Sequence, residues 1–215
     1  MSGLFITFEG TEGCGKSTQV KLLAERLRSL GYTVHTLREP GGTPIGEEIR
    51  HTLKHSPANG AMTAEAELLL MNASRAQLVR EVIRPALAAG EIIVSDRFYD
   101  STTAYQGYGR QLDLRHVATV IEFAVGETKP DITLLVQVPP EVSAERLRSR
   151  QANLPFVRDR IEEADLAFFE RVDRGYAAIA AADPDRIKLV NGAHSVEDVS
   201  VDIWSLIEPR LPRRD

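Results

Sequence analysis

Apolar residues recur along this chain in two rhythms. Short runs rich in β-branched and aromatic residues stand at 4–8, 33–37, 91–95, 132–138 and 186–190. Their length and composition predict strands. Between them the apolar residues fall at helical spacing, over 16–30, 45–54, 63–89, 114–125, 141–150, 162–182 and 196–211. In the first of these stretches Val20, Leu23, Ala24, Leu27 and Leu30 share one face. Pro85 is expected to bend or break the long third stretch. Five strands separated by helices predict an α/β fold, a five-stranded parallel sheet with helices on both faces. One domain is expected over residues 1–215, enough chain for a sizeable core. Sheets of this kind bind ligands beyond the carboxyl ends of their strands, so the residues after each strand matter most.

After the first strand, residues 10–17 read Gly-Thr-Glu-Gly-Cys-Gly-Lys-Ser. This is a complete G-x-x-x-x-G-K-[ST] phosphate loop in its proper strand–loop–helix setting. Its glycines let successive backbone N–H groups turn toward phosphate oxygens at a helix N-terminus. Gly10, Thr11, Glu12, Gly13, Cys14, Gly15, Lys16, Ser17 and Thr18 are therefore expected to hold a nucleoside triphosphate. Lys16 reaches the β- and γ-phosphates, and the Ser17 hydroxyl suits Mg²⁺. Cys14 has two readings: a thiol activated by its cationic setting, or a small filler where alanine would serve.

The second strand runs into Arg38-Glu39-Pro40-Gly41-Gly42-Thr43-Pro44. An anion site and a plain turn, with Pro44 opening the next helix, explain this segment equally well. The third strand ends in Asp96-Arg97-Phe98-Tyr99. An aspartate there can orient Mg²⁺, and an arginine can bridge donor and acceptor phosphates. Arg146, Arg148, Arg150, Arg158 and Arg160 cluster around Pro155 and predict an arginine-bearing lid at about 148–160, with Arg146 read as solvating a helix face. The five histidines are scattered without ligand spacing. Transfer between two phosphates needs positioning and charge neutralisation more than a general base, and this inventory of lysine, arginines and a metal ligand fits that chemistry.

A net charge of −5 argues against a mainly nucleic-acid-binding or anionic-membrane role. Cys14 is the single cysteine, so neither an internal disulfide nor an all-cysteine metal site is available. No apolar run approaches membrane-spanning length, and no signal peptide is expected ahead of the first strand.

Taken together, the motifs resemble those of bacterial thymidylate kinases, in the nucleoside monophosphate kinase class of phosphate-loop proteins. The similarity runs in order through the phosphate loop, Arg38-Glu39-Pro40-Gly41-Gly42-Thr43 and Glu67-Leu68-Leu69-Leu70-Met71-Asn72-Ala73-Ser74-Arg75-Ala76-Gln77. It continues through Asp96-Arg97-Phe98, Ser101-Thr102-Thr103-Ala104-Tyr105-Gln106-Gly107, Lys129-Pro130-Asp131 and Asp159-Arg160-Ile161-Glu162. The resemblance implies ATP and dTMP as substrates, dTDP and ADP as products, Mg²⁺ held by Ser17 and Asp96, and a cytoplasmic homodimer supplying dTTP synthesis. It implies catalytic roles for Lys16, Asp96, Arg97, Arg150 and Arg160. Acceptor contacts are implied for Glu12 (sugar 3′-hydroxyl), Arg38 and Arg97 (phosphate), Arg75 (thymine O4), Thr102 (base edge) and Tyr105 (sugar C2′), with Gln106 also on the substrate. Met71 stands where many relatives stack a phenylalanine on thymine. A kinase for another small acceptor and a nucleotide-hydrolysing switch remain as alternatives.

Overall fold

The computed structural model describes residues 3–152 and 165–212, the side chains of 150–152 excepted. Its strands are β1 Leu4–Glu9, β2 Val34–Arg38, β3 Ile92–Asp96, β4 Ile132–Gln137 and β5 Ile187–Asn191. They form one parallel sheet in the order β2-β3-β1-β4-β5. The helices are α1 Lys16–Ser29, α2 Pro44–Lys54, α3 Ala64–Leu78, α4 Arg84–Ala88, α5 Tyr99–Thr102, α6 Leu114–Val125, α7 Pro140–Ala152, α8 Leu166–Ala182 and α9 Val196–Ile207.

Side chains alternate across a strand, and β1 divides the core accordingly. Leu4, Ile6 and Phe8 pack with Val20, Leu23 and Leu27 of α1 and with Ile203, Trp204 and Ile207 of α9. Phe5 points the other way, among Leu78, Val79, Ile83, Ile93, Val117 and Ile121. The helices thus cover both faces, as the pattern predicts. On the Phe5 face β1 turns polar toward its carboxyl end. Thr7 Oγ1 lies 2.7 Å from Thr133 Oγ1, and Glu9 is fully buried. A second polar clamp joins α5 to the residue before β5: Arg186 donates to both Asp100 carboxylate oxygens at 2.7 and 3.0 Å.

Two segments differ from the expectation. The stretch at 63–89 is divided by a π-turn, Val79–Ile83, between α3 and α4. Pro85 falls in the first turn of α4, where a missing N–H is tolerated. The second is Tyr99–Thr102, which continues as π-helix over Thr103–Gly109. Its serine, threonines and glycines carry no helical apolar stripe. The segment is helical because it packs on α8, with Ala104 and Tyr105 against Phe168, Val172 and Tyr176.

That packing needs a glycine on α8. A Cβ at Gly175 would lie 2.9 Å from Tyr108 Cβ and Cγ. Gly175→Ala is expected to destabilise the protein by about 1–3 kcal/mol through overpacking. Urea unfolding measures this, and an unchanged midpoint would show that the two elements can move apart.

Candidate active site

The phosphate loop follows β1 directly. Gly10 and Gly13 have φ of 134° and 75°, and a Cβ at Gly10 would lie 2.2 Å from the Val136 carbonyl. Side chains other than hydrogen are thus excluded both by conformation and by space. Lys16 Nζ donates to the Gly10 and Thr11 carbonyls at 2.8 Å and to Cys14 Sγ at 3.4 Å. Ser17 Oγ donates to Asp96 Oδ2 at 2.6 Å. The parallel register sets Phe8 and Arg38 level with Asp96, which explains why β2 and β3 deliver their terminal charges beside the loop.

A cavity of about 420 Å³ opens there, lined by Glu12, Gly13, Gly15, Lys16, Ser17, Thr18, Arg38, Glu39, Arg50, Lys54, Asp96, Arg97, Arg146 and Leu147. Basic side chains outnumber acidic ones in this lining, as an oligophosphate site requires. On the far side of the loop a cavity of about 180 Å³ runs between Cys14, Thr18, Gln19, Arg146, Gly192 and His194. Arg146 joins the two, donating to Cys14 O at 3.4 Å and Gly192 O at 3.0 Å. It is bound to the loop and does not solvate a helix face, contrary to the sequence expectation.

Arg97 adopts φ of 74°, a left-handed conformation uncommon for a non-glycine residue. Its Nη2 donates to Glu12 Oε1 at 2.7 Å and to Tyr105 Oη at 3.2 Å. Tyr105 in turn donates to Glu12 Oε2 at 2.7 Å. Burial pushes the Glu12 carboxyl up, but Arg97, then Lys16 and the Tyr105 hydrogen bond outweigh it and hold Glu12 below its usual range. Glu12 is therefore an ionised acceptor at the seam between the loop and Arg97.

A cleft continues from this seam between Pro40, Met71, Arg75, Ser101, Thr102, Tyr105 and Gln106. Arg75 forms its inner wall and is 2% exposed. Nε donates to Glu39 Oε2 at 2.8 Å, Nη1 to Asn72 Oδ1 and Thr102 Oγ1 at 2.9 and 2.8 Å, and Nη2 to Phe98 O at 3.2 Å. Nη2 also lies 2.7 Å from Glu39 Oε2. The guanidinium is thus engaged by the protein on every nitrogen, which the resemblance alone did not suggest. Met71 lines the cleft, while Asn72 turns inward, donating to Leu68 O at 2.8 Å. Gln106 donates to Glu67 Oε1 at 2.8 Å.

The structure therefore gathers Glu12, Lys16, Ser17, Arg38, Asp96 and Arg97 around one cavity, with Met71, Arg75, Thr102, Tyr105 and Gln106 in the adjoining cleft. Arg38 also donates to Glu47 Oε2 at 3.0 Å, and Pro44 opens α2 as the turn reading of this segment has it. Arg158 and Arg160 lie outside the described residues, as does the side chain of Arg150. Arg148 is exposed and donates to Ala144 O at 3.3 Å. Cys14 is 1% exposed and packs within the core of the α1 face, which favours its reading as a filler. Glu9, Glu39, Ser101, Arg146 and Tyr176 were not singled out as site residues. Glu9 adjoins the phosphate loop and Glu39 lies inside the second motif, but only the fold shows that both are buried.

The thymidylate kinase family model matches residues 8–203. The chain belongs to the thymidylate kinase family. It is 47% identical over 209 residues to a thymidylate kinase of Synechococcus sp., covering 97% of this chain and 96% of that protein. With a Geobacter sulfurreducens thymidylate kinase it shares 44% identity over 216 residues, 99% of this chain and 100% of the relative. The crystal structure of thymidylate kinase from Ehrlichia chaffeensis matches with a TM-score of 0.78 at 30% identity, covering 97% of this chain and 99% of that one. The match spans both the phosphate loop and the cleft beside it.

Beneath the site, burial and the nearby Asp100 carboxylate push the Glu9 carboxyl up to about 7, against the pull of Arg97. A carboxyl raised on folding contributes stability that is full below its unfolded pKa and lost as pH rises through the folded value. Wild-type stability relative to Glu9→Gln is thus expected to fall between pH 4.5 and about pH 7 and to level off above it. Denaturant unfolding across that range measures it, and a flat difference would contradict the raised value.

Proposed function

We propose that this chain transfers the γ-phosphoryl group of ATP to the 5′-phosphate of dTMP, giving dTDP and ADP, with the triphosphate in the loop cavity and the nucleoside in the cleft. The observation that carries this reading is the Glu12–Arg97–Tyr105 cluster at the seam of the two spaces. A group at that seam reaches both phosphates, and in-line transfer depends on such positioning and charge neutralisation. A phosphate oxygen of dTMP attacks the γ-phosphorus while the bond to the β-phosphate oxygen breaks. The acceptor is already an anion, so no base is required.

In this reading Lys16 exchanges its loop carbonyls for the β- and γ-phosphates. Arg97 and Arg38 hold the acceptor phosphate. Glu12, kept ionised, accepts from the sugar 3′-hydroxyl, and the Tyr105 ring closes the space beside C2′. Thr102 Oγ1 already accepts from Arg75, so its own O–H is the natural donor to thymine O4, with Arg75 setting its orientation. Cytosine offers an amino group there, which can bind Thr102 only if the hydroxyl turns its O–H away from the base and accepts instead. Met71 contacts the ring through a polarisable thioether.

Mg²⁺ suits this site. Ser17 Oγ and the Asp96 carboxylate are adjacent hard oxygen ligands at the cavity. No cluster of three or more His, Cys, Asp or Glu that could hold a metal occurs among the described residues. Ser17 and Asp96 would therefore hold the ion together with nucleotide oxygens and water, and the ion would neutralise phosphate charge. The segment at about 148–160 would supply the lid, with Arg150 and Arg160 favoured as its arginines. A cytoplasmic homodimer completes the reading. No helix among the described residues is long and apolar enough to cross a membrane.

ADP release with ATP·Mg²⁺, scanned across dTMP, dUMP, dCMP, UMP and no acceptor, tests the assignment. Strong dTMP-dependent release with dTDP as product is expected. Equal release without acceptor would identify a hydrolase, and preference for another monophosphate would overturn the reading of the cleft. Arg97→Ala is expected to lower kcat by about 10²–10³-fold, the usual cost of removing a preorganised donor to developing charge.

A further inference from the structure

One buried cluster beneath the site has no part in the scheme above. Glu9 accepts from the Phe98 N–H at 2.8 Å, from Ser101 Oγ at 2.5 Å and from Tyr176 Oη at 2.9 Å. All three partners belong to other elements: Phe98 precedes α5, Ser101 lies on it, and Tyr176 lies on α8. Each hydroxyl has a single proton; the two oxygens stand 3.0 Å apart, where either could donate to the other, and the ionised Glu9 carboxylate is the stronger acceptor for both. Their oxygens therefore present lone pairs elsewhere. Both face Arg97, whose Nη1 donates to Ser101 Oγ at 3.0 Å and to Tyr176 Oη at 3.2 Å.

The two edges of the guanidinium thus meet different surroundings. Nη1 faces two buried hydroxyls whose direction a third group fixes. Nη2 faces Glu12 and Tyr105 at the cavity wall. The backbone is pinned as well: Arg97 N donates to Phe8 O at 2.9 Å, and Arg97 O accepts from Ser95 Oγ at 2.8 Å. A left-handed arginine persists only where its surroundings over-determine it, and here they do.

We propose that Glu9, Ser101 and Tyr176 are positioning residues that lock the Nη1 edge of Arg97, leaving the Nη2 edge alone to exchange between Glu12 and the acceptor phosphate. The proposal rests on the reading of Arg97 as a ligand of that phosphate. Its consequence is selective. Loss of the lock weakens recognition of the phosphate and leaves recognition of the nucleoside intact.

The test compares dTMP with thymidine, which lacks the phosphate, by calorimetric titration at pH 8. Tyr176→Phe keeps the ring and removes the hydroxyl. It is expected to lower the preference for dTMP over thymidine about tenfold, the scale of a lost hydrogen bond to a charged group, with thymidine affinity unchanged. Arg97→Lys is expected to lower the same preference. Adding Tyr176→Phe to Arg97→Lys should cost little more, because both act through one side chain. If Tyr176→Phe weakens both ligands equally, or leaves the preference intact while Arg97→Lys lowers it, the lock is refuted and the role of Arg97 stands. If Arg97→Lys also leaves the preference intact, the phosphate-ligand reading falls and the lock with it. Glu9→Gln, which removes the charge that directs both hydroxyls and does not line the cleft, carries the identical comparison if Tyr176→Phe does not fold.

Discussion

The ladder between β1, β3 and β2 places Phe8 and Arg38 level with Asp96, and the chemistry of the site descends from that alignment. A parallel sheet delivers all its strand ends to one edge. Three loops therefore begin at a common height: the phosphate loop, the Glu39–Gly42 turn and the Arg97–Tyr99 segment. A shift of one residue in β3 would move Asp96 away from Ser17 and turn its side chain to the opposite face of the sheet. The buried Val, Ile and Phe side chains that fix the register lie away from the substrate spaces, yet they set where the charges stand.

Much of this was legible in the sequence. The three central strands, β3, β1 and β4, appear as compact apolar runs because both of their faces are covered, while the edge strands β2 and β5 are only partly buried. The phosphate loop is legible because its backbone demands glycine at fixed positions. Other features were hidden for physical reasons. Residues 99–109 fold as helix through contacts with α8, a tertiary effect that local spacing does not record. Arg146 has the pattern of a solvated helix arginine, and only the approach of the β5 loop to the phosphate loop makes it a bridge. Glu9 follows an apolar strand and precedes a glycine, so nothing local marks it as buried. Arg75 is legible as a base-side residue, but its engagement by Glu39, Asn72 and Thr102 depends on three separate segments meeting.

The face of β1 that carries Phe5, Thr7 and Glu9 grades from dry core to hydrogen-bonded network within a single six-residue strand. This gradient lets the site rest on groups that are rigid and polar at once. A buried carboxylate costs desolvation unless several donors meet it, and Glu9 has three. Glu39 is less well provided: its Oε1 is buried without a hydrogen-bond partner among the described residues, while Oε2 takes the Arg75 bonds. Burial accordingly raises the Glu39 carboxyl, although Arg75 opposes it.

Lys16 rests on loop carbonyls, Arg38 on Glu47, and Arg97 on Glu12. Cations with resident partners bind a nucleotide by swapping contacts, so arrival of an anion gains less than it would from bare charges, and departure of one is correspondingly easier. In a site that must discharge two nucleotide products in every cycle, such moderation works against the sticky end states that would otherwise throttle turnover.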